Sequence, residues 1–150
     1  MQFLGSIEAK IDAKARVFVP AVFRKILILS GCNELIVRKD IFQNCLILYP
    51  VSIWEEEVNK LRSNLNRWDK KQQHVFRQFV SDAERLEMDA NGRILIPKRC
   101  LQQIGAESDV KFLGVGYTME LWAKGELEST FVSSEDFGVE IQSLMSDSHG

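Results

Sequence analysis

The chain has 150 residues, 45% of them apolar, which is enough to bury a core without disulfide bonds. Its formal net charge of -2 excludes a globally basic surface, so any binding of nucleic acid has to come from a local patch. Its three cysteines have no C-x-x-C spacing, and the chain has neither a signal-peptide pattern nor a long apolar run. We therefore expect no disulfide framework, no metal site and no membrane segment, in a protein of the reducing cytoplasm.

Residues 1–50 are predicted to form a first structural unit. A strand, SIEAKI, leads to Asp12, three turn residues and Arg16, and the apolar triplet VFV then ends at Pro20. Proline suits the start of a helix, so a hairpin is predicted to lead into the helix AVFRKILIL. Two further strand-like runs, ELIVR and CLILYP, complete a ββαββ unit. The triplet is continuously apolar, which predicts a strand buried on both faces.

Residues 51–81 have helical periodicity instead. Ser52 and Glu55 are spaced as a capping box for one helix, and Asp69 and Gln72 begin a second helix. The segment therefore predicts a helical hairpin. The tryptophans of the whole chain are predicted to anchor the core or a subunit interface: Trp54, Trp68 and Trp122.

Residues 82–131 repeat the first unit. The phrase DANGRILIP begins at Asp89 and nearly copies DAKARVFVP, which begins at Asp12. A short helix that ends at Gly105 and two strand-like runs follow, and a terminal helix is predicted to complete the unit. Residues 132–150 are Ser-rich and acidic and are predicted to form a mobile tail.

Each ββαββ unit is too small to bury a core of its own, so its natural partner is its duplicate. Two such units that interleave their hairpins would close a single β-barrel and remove the exposed strand edges. The chain would then have an internal pseudo-two-fold axis. The predicted fold class is therefore α+β, a β-barrel built from two similar halves with the helical hairpin between them.

The two phrases, together with LILYPVSIWEE and MELWA, resemble the MraZ family of bacterial transcriptional regulators over roughly residues 1–131. The resemblance implies two tandem AbrB-type swapped-hairpin halves and a cytoplasmic, nucleoid-associated protein that assembles into a homo-oligomeric ring. It also implies binding to short direct repeats of double-stranded DNA in the promoter of the protein's own operon, which encodes division and cell-wall functions. In that family the Asp-x-x-x-Arg hairpin tips, chiefly the first one, supply the DNA contacts.

The first tip contains most of the candidate DNA-binding residues. The guanidinium of Arg16 has the geometry to pair with a phosphate or with the Hoogsteen edge of guanine. The alternative is an ion pair between Arg16 and Asp12 that only pins the turn. Lys10 and Lys14 place two more cations near this tip.

The second tip is a poorer DNA-binding candidate. Arg93 is present, but Asn91 stands where the first tip has Lys14, so Arg93 is interpreted as structural or auxiliary. Asp12 and Asp89 each open a turn, where Asp commonly accepts hydrogen bonds from backbone N–H groups. We therefore interpret both as structural residues and not as a catalytic carboxylate pair.

The residue before the arginine differs between the two tips. Gly92 is interpreted as a conformational residue, and the family pattern usually has glycine at this position. The first tip has Ala15 instead. If the turn requires a positive φ, alanine costs about 1 kcal/mol or forces a different turn, which would change the pose of Arg16.

The sequence predicts no catalytic residue, cofactor or small-molecule substrate. His74 and His149 have no Ser, Cys or carboxylate partner at a recognisable spacing, and the GVG at Gly114–Gly116 lacks a following G-K-S/T. The chain is therefore not expected to be an enzyme. The alternative function is a protein-interaction module of the antitoxin type, which would bind its partner through the C-terminal tail.

Overall fold

The same order of elements, ββαββ, occurs twice along the chain. The computed structural model describes residues 1–147. The strands are β1 Phe3–Lys10, β2 Arg16–Phe18, β3 Glu34–Lys39, β4 Leu46–Pro50, β5 Glu84–Glu87, β6 Arg93–Leu95, β7 Asp109–Gly116 and β8 Met119–Ala123. The helices are α1 Ala21–Leu29, α2 Val51–Ser63, α3 Lys70–Ser81, α4 Lys98–Gln103, the 3-10 turn Glu128–Thr130 and α5 Ser134–Asp147.

Strands of the two units pair with each other. β1 pairs with β7, β3 with β5, β4 with β8 and β2 with β6, all antiparallel. The result is a six-stranded sheet in the order β1-β7-β8-β4-β3-β5 and a separate two-stranded ribbon, β2-β6. Each pairing in one unit has its counterpart in the other, so the connectivity is two-fold symmetric.

The short strands after each tip do not pair with the strands before them. β1 and β2 meet at the first tip but belong to different sheets, and the same holds for β5 and β6. The described residues therefore form an antiparallel sheet and a ribbon, without the continuous ladder of a closed barrel. The physical reason is that β2 and β6 are only three residues long and use their backbone groups on each other.

The ribbon buries only one of its faces. Val17 and Ile94 are each 1% exposed, whereas Phe18 and Leu95 are 54% and 57% exposed. The prediction of burial on both faces was therefore wrong, because the core lies on one side of the ribbon and no element among residues 1–147 covers the other side. Its inward side chains join the same core as those of the six-stranded sheet, which includes Phe3 packed edge-on against Phe23.

Glycines end the two short helices that follow the tips. In α4 the N–H groups of Gly105 and Ala106 bond back to the carbonyls of Gln102 and Leu101, and φ of Gly105 is +65°. This is the Schellman arrangement, which only a residue tolerant of positive φ allows at low cost. The predicted helix end at Gly105 is therefore confirmed.

The helical hairpin is anchored to the sheet at one end. Trp54 of α2 stacks on Phe79 of α3, with ring centroids 5.4 Å apart, and also contacts Tyr49 at 5.2 Å. Buried Arg38 lies over the Phe79 ring at 4.3 Å. Trp122 is a buried core residue as predicted, Trp54 is only partly buried, and Trp68 is 88% exposed at the distal turn of the hairpin.

Only one of the two predicted helix starts in this hairpin has the expected cap. Asp69 Oδ1 accepts a hydrogen bond from the Gln72 N–H at 3.1 Å, which begins α3. The capping box of Ser52 and Glu55 is absent, because α2 already begins at Val51 and both side chains lie inside its first turns.

The C-terminal segment also differs from expectation. The predicted terminal helix of the second unit is only the 3-10 turn Glu128–Thr130. Ser134–Asp147, within the tail predicted to be mobile, is helical. Its mobility stays a prediction, and His149 lies outside the described residues. Among residues 1–147 no helix is long and apolar enough to cross a bilayer.

A half-buried carboxylate predicts a pH effect on stability. Glu120 Oε1 accepts a hydrogen bond from Trp122 Nε1 at 2.9 Å, but burial raises the pKa of Glu120 above its usual value. Folding therefore favours the protonated form, and this contribution is lost as pH rises from the unfolded pKa through the folded one. We predict that Glu120→Gln, which keeps the acceptor, raises the melting temperature at neutral pH.

Thermal unfolding of parent and variant on both sides of that pH window, at one protein concentration, measures the effect. The gain should shrink at acid pH, where Glu120 is protonated in the parent. Glu126→Gln, at an exposed position, is the matched control and should leave the melting temperature unchanged. An equal gain at all pH values would contradict the assigned role of the Glu120 charge.

Candidate nucleic-acid interface

The first tip is organised by one carboxylate. Oδ1 of Asp12 accepts hydrogen bonds from the backbone N–H groups of Lys14 and Arg16, both at 2.9 Å. Oδ2 accepts the Arg16 Nε–H, also at 2.9 Å. The backbone N–H of Ala15 closes the turn onto the Asp12 carbonyl at 3.0 Å. Asp12 therefore fixes both the turn and the direction of the arginine side chain.

The second tip has the same set of contacts. Oδ1 of Asp89 accepts the backbone N–H groups of Asn91 and Arg93, both at 2.9 Å, and Oδ2 accepts Arg93 Nε–H at 3.0 Å. Hydrogen bonds from the Arg93 backbone and side chain hold the pKa of Asp89 below its usual value, and those from Arg16 do the same for Asp12. Both carboxylates are therefore ionised at neutral pH.

The ion pair between Arg16 and Asp12, predicted as the alternative role of Arg16, is present. It does not exclude a DNA contact, because it uses only part of the guanidinium group. The pair with Asp12 uses only Nε, and within residues 1–147 the two terminal nitrogens of Arg16 make no hydrogen bond. Those two nitrogens form the edge of a guanidinium that contacts a phosphate or guanine bidentately. The Arg16 side chain is 33% exposed, so it is partly accessible to solvent.

Both arginines lie on the outer face of the ribbon. Side chains alternate along a strand, and Val17 and Ile94 point into the core. The outer face consists of Arg16, Phe18, Arg93 and Leu95. In the ribbon's register Arg16 lies opposite Leu95, so Arg16 and Arg93 are diagonal neighbours on the two strands. The backbones of diagonal neighbours in an antiparallel pair are about 7–8 Å apart. The fold therefore places two arginines, predicted separately, on one surface.

The two lysines of the first tip differ in their surroundings. Lys10 ends β1, and its ammonium lies 3.8 Å from Asp109 with 83% of the side chain exposed. Such an exposed pair is weak, so the cation stays available. Lys14 lies in the turn and forms no ion pair among the described residues.

Alanine in the first tip does not change the turn. Ala15 has φ of +64° and Gly92 has φ of +86°, so both occupy the left-handed region. The hydrogen bonds of the two tips match to within 0.1 Å. The different turn considered for the first tip is therefore not observed, and Arg16 has the pose of Arg93.

Two residues of the first unit lie beside the second tip. The Arg24 side chain of α1 covers Gly92, with Nη1 2.8 Å from where a Cβ would be. The Arg93 guanidinium also lies 5.8 Å from the Phe18 ring. Neither contact has a local signal, because α1 and β2 belong to the other unit. The second tip thus has a second arginine, Arg24, beside it.

We predict that Gly92→Ala lowers the free energy of unfolding by about 1–2 kcal/mol, the cost of an L-residue at positive φ. The new Cβ also displaces the Arg24 side chain, whose far end is flexible and moves cheaply. Urea denaturation at fixed protein concentration measures this loss.

Ala15→Gly is the matched variant in the first tip. It relieves the positive φ but removes a methyl group at a position that is 6% exposed and increases the entropy of the unfolded chain. We expect these effects to cancel to within about 1 kcal/mol. Equal losses for Gly92→Ala and Ala15→Gly would show that backbone strain does not distinguish the tips.

The comparisons with known proteins agree on one family. Residues 2–77 and 79–138 match the family model described as "MraZ protein, putative antitoxin-like". A protein of Bacteroides thetaiotaomicron named "Transcriptional regulator MraZ" is 52% identical over 147 residues, which cover 98% of this chain and 94% of that protein. Proteins of the same name from Acetivibrio thermocellus and Christiangramia forsetii are 36% and 33% identical, over 85% and 91% of this chain. These matches cover 85% and 87% of those two proteins.

The duplicated tips and the strand pairs between the units define an α+β protein built from two copies of one motif. The chain belongs to the MraZ family. The resemblance stated from the sequence is therefore confirmed, and the match continues past residue 131 to residue 138. The names of the relatives are those of regulators, so the expectation of a non-enzymatic protein is also confirmed.

Proposed function

We propose that this protein is a sequence-specific, DNA-binding transcriptional regulator that binds short direct repeats in the promoter of its own division and cell-wall operon. The observation that carries the proposal is the outer face of the ribbon, where Asp12 and Asp89 orient Arg16 and Arg93 through Nε and where, within residues 1–147, the terminal guanidinium nitrogens make no hydrogen bond. An arginine fork held in this way reads guanine or clamps phosphate with little loss of side-chain entropy. The names of the relatives support the regulatory role.

The strand pairing supports an AbrB-type swapped-hairpin barrel. Because β1, β2 and β5 each pair with a strand of the other unit, the hairpin tips are supported by both units at once. In this barrel the β2-β6 ribbon covers one side of the six-stranded sheet and carries both tips outward. The proposed DNA-binding surface is therefore rigid, as a base-reading surface has to be.

One copy of this surface would bind DNA weakly. Arg16, Lys14 and Lys10 neutralise at most a few phosphates, and each neutralised phosphate contributes a salt-dependence slope of about 0.9. A homo-oligomeric ring presents the surface many times, so binding to one repeat makes binding to the next intramolecular. The gain in apparent affinity is about 10²- to 10⁴-fold. We therefore propose a cytoplasmic, nucleoid-associated ring, with adjacent copies on adjacent repeats.

Fluorescence anisotropy tests this function. Purified protein is titrated against a duplex from upstream of its own gene and against a scrambled duplex of equal length, each at two salt concentrations. Tighter binding to the native duplex, with a steep loss at higher salt, is the expected result. Equal and negligible binding to both duplexes by an intact oligomer would overturn the proposal.

The second candidate is an antitoxin-type interaction module that uses the C-terminal segment. It is favoured by α5, an exposed helix with apolar side chains on its surface. In that case a partner protein should copurify from the native host, and deletion of residues 133–150 should abolish its association but spare DNA binding. Retention of the partner by the truncated chain would eliminate this candidate.

A further inference from the structure

Helix α5 has an apolar stripe that its own chain leaves open. Phe137, Ile141 and Leu144 follow one another at spacings of four and three residues, so they share one face of the helix. Their exposed fractions are 59%, 45% and 64%. Asp136 and Glu140, one turn apart, flank the stripe on one side. Such a stripe on a helix indicates a surface that packs against something.

The distal half of the helical hairpin has a complementary surface. A groove of about 340 Å³ lies between α2 and α3 and is lined by Arg62, Leu65, Arg67, Gln73 and Phe76. The Arg62 guanidinium lies 5.0 Å from the centre of the Phe76 ring, so cations and an aromatic face meet in one place. The groove therefore combines an apolar floor with a basic rim.

The charges of the two surfaces are opposite. Residues 60–77 of the hairpin contain six lysines and arginines but one carboxylate, Asp69. Residues 134–146 of helix α5 contain three carboxylates and no lysine or arginine. Opposite potentials favour encounter and fix register, while the apolar stripe and groove supply the buried area.

We propose that α5 of one copy docks in the α2-α3 groove of a second copy. This inference rests on the oligomer of the proposed function and names the surfaces that join its subunits. Because Leu46 of β4 pairs with Leu121 of β8 and Leu48 with Met119, the two strands run antiparallel. The chain thus enters α2 after Pro50 at one end of the sheet, and leaves β8 toward α5 after Ala123 at the opposite end. A second copy therefore supplies the helix more readily than the same chain.

DNA is a poorer occupant of this groove. Phosphates would pair with Arg62 and Arg67 but would leave Leu65 and Phe76 uncovered, whereas an amphipathic acidic helix covers both kinds of group. Each copy of the chain also has one α5 and one α2-α3 groove, so every assembly of this chain contains as many helices as grooves. Both observations favour α5 as the occupant.

The test is the molar mass of the full-length protein, measured by light scattering over a range of concentrations. We expect Ile141→Asp to raise the concentration for half-assembly at least tenfold, because it places a charge on the buried face. Val139→Asp is the matched control: Val139 is 60% exposed on the opposite face of α5 and should have no effect. If the parent is oligomeric and Ile141→Asp leaves its molar mass unchanged, the inference is overturned. In that case α5 would bind its own chain or a foreign protein instead of a second copy.

A charge exchange distinguishes docking from a general loss of stability. Arg67→Glu and Glu140→Lys should each weaken assembly, and the double variant should assemble more strongly than either single variant. Lys71→Glu, on the opposite side of α3 from Gln73, should have no effect. No recovery in the double variant would overturn the inference that the acidic flank of α5 lies against the basic rim of the groove.

Arg16→Ala separates this inference from the proposed function. It should stay fully assembled while losing DNA binding, because its tip lies outside both docking surfaces. A parent that binds its promoter only as a monomer would overturn the ring and the docking together. A parent that assembles through α5 but binds no DNA would overturn the regulator and leave the docking intact.

Discussion

Replacing Arg16 with alanine is expected to weaken binding to the native promoter duplex by about 30-fold or more. A guanidinium that pairs bidentately with a base or phosphate contributes about 1–3 kcal/mol at each tip, and a repeat-bound oligomer loses this contribution at two or more tips at once. The slope of log affinity against log salt should also fall by about 0.9 for each phosphate contact removed. Anisotropy titrations at several salt concentrations measure both effects.

The turn itself should survive this substitution. Two of the three hydrogen bonds to Asp12 come from the backbone N–H groups of Lys14 and Arg16, and alanine keeps both. The loss of affinity would therefore report the guanidinium and not a collapsed tip. Unchanged affinity for the promoter by an oligomeric Arg16→Ala protein would refute the assigned contact.

Two comparison variants sharpen the result. Arg16→Lys keeps the charge without the planar fork, so it should restore the salt slope but only part of the preference for the native duplex over the scrambled one. Arg93→Ala removes the equivalent group of the second tip and should cost less, as an auxiliary contact on the same face. A larger loss for Arg93→Ala would make the second tip the principal DNA contact.

Gly114→Ala is expected to destabilise the protein by about 3 kcal/mol or more. A Cβ at Gly114 would lie 2.5 Å from the backbone nitrogen of Leu4 and 2.7 Å from the carbonyl oxygen of Phe3. These are backbone atoms of β1, the strand that pairs with β7, and Phe3 is fully buried in the core. Strand β1 therefore has no room to move away without withdrawing Phe3.

Urea denaturation at fixed protein concentration measures this loss, and near-ultraviolet circular dichroism shows whether the variant has native packing at all. Gly138→Ala is the control, since its Cβ would meet nothing within 4 Å and alanine favours the helix of α5. A Gly114→Ala protein as stable as its parent would mean that β1 and β7 do not approach each other this closely.

The sequence predicted what is local or duplicated. Asp12 and Asp89 could be assigned to turns because an Asp side chain reaches the N–H groups of the next few residues, whatever the rest of the fold does. Gly105 was predictable for the same reason. The two copies of the Asp-x-x-x-Arg phrase also indicated the family, because a repeat in register is hard to obtain by chance.

What the sequence did not predict depends on contacts between the units. The triplet VFV is buried on one face only because β2 pairs with β6. No local sequence pattern around Phe18 or Leu95 predicts their exposure. The position of Arg24 over Gly92 joins residues of different units. The prediction of a capping box at Ser52 was wrong because the chain is already helical at Val51, directly after β4.

The crossing of strands between the units governs how a new chain acquires its structure. Strand β1 is synthesised first, but its partner β7 lies about 100 residues later, so β1 leaves the ribosome long before the strand that it pairs with. If the first unit folded before then, the core side chains of Phe3 and Val17 would stay exposed to water. The chain is therefore expected to complete its sheet only after β7 has emerged. A truncation before β7 would leave β1 and β4 without the strands of the second unit that they pair with.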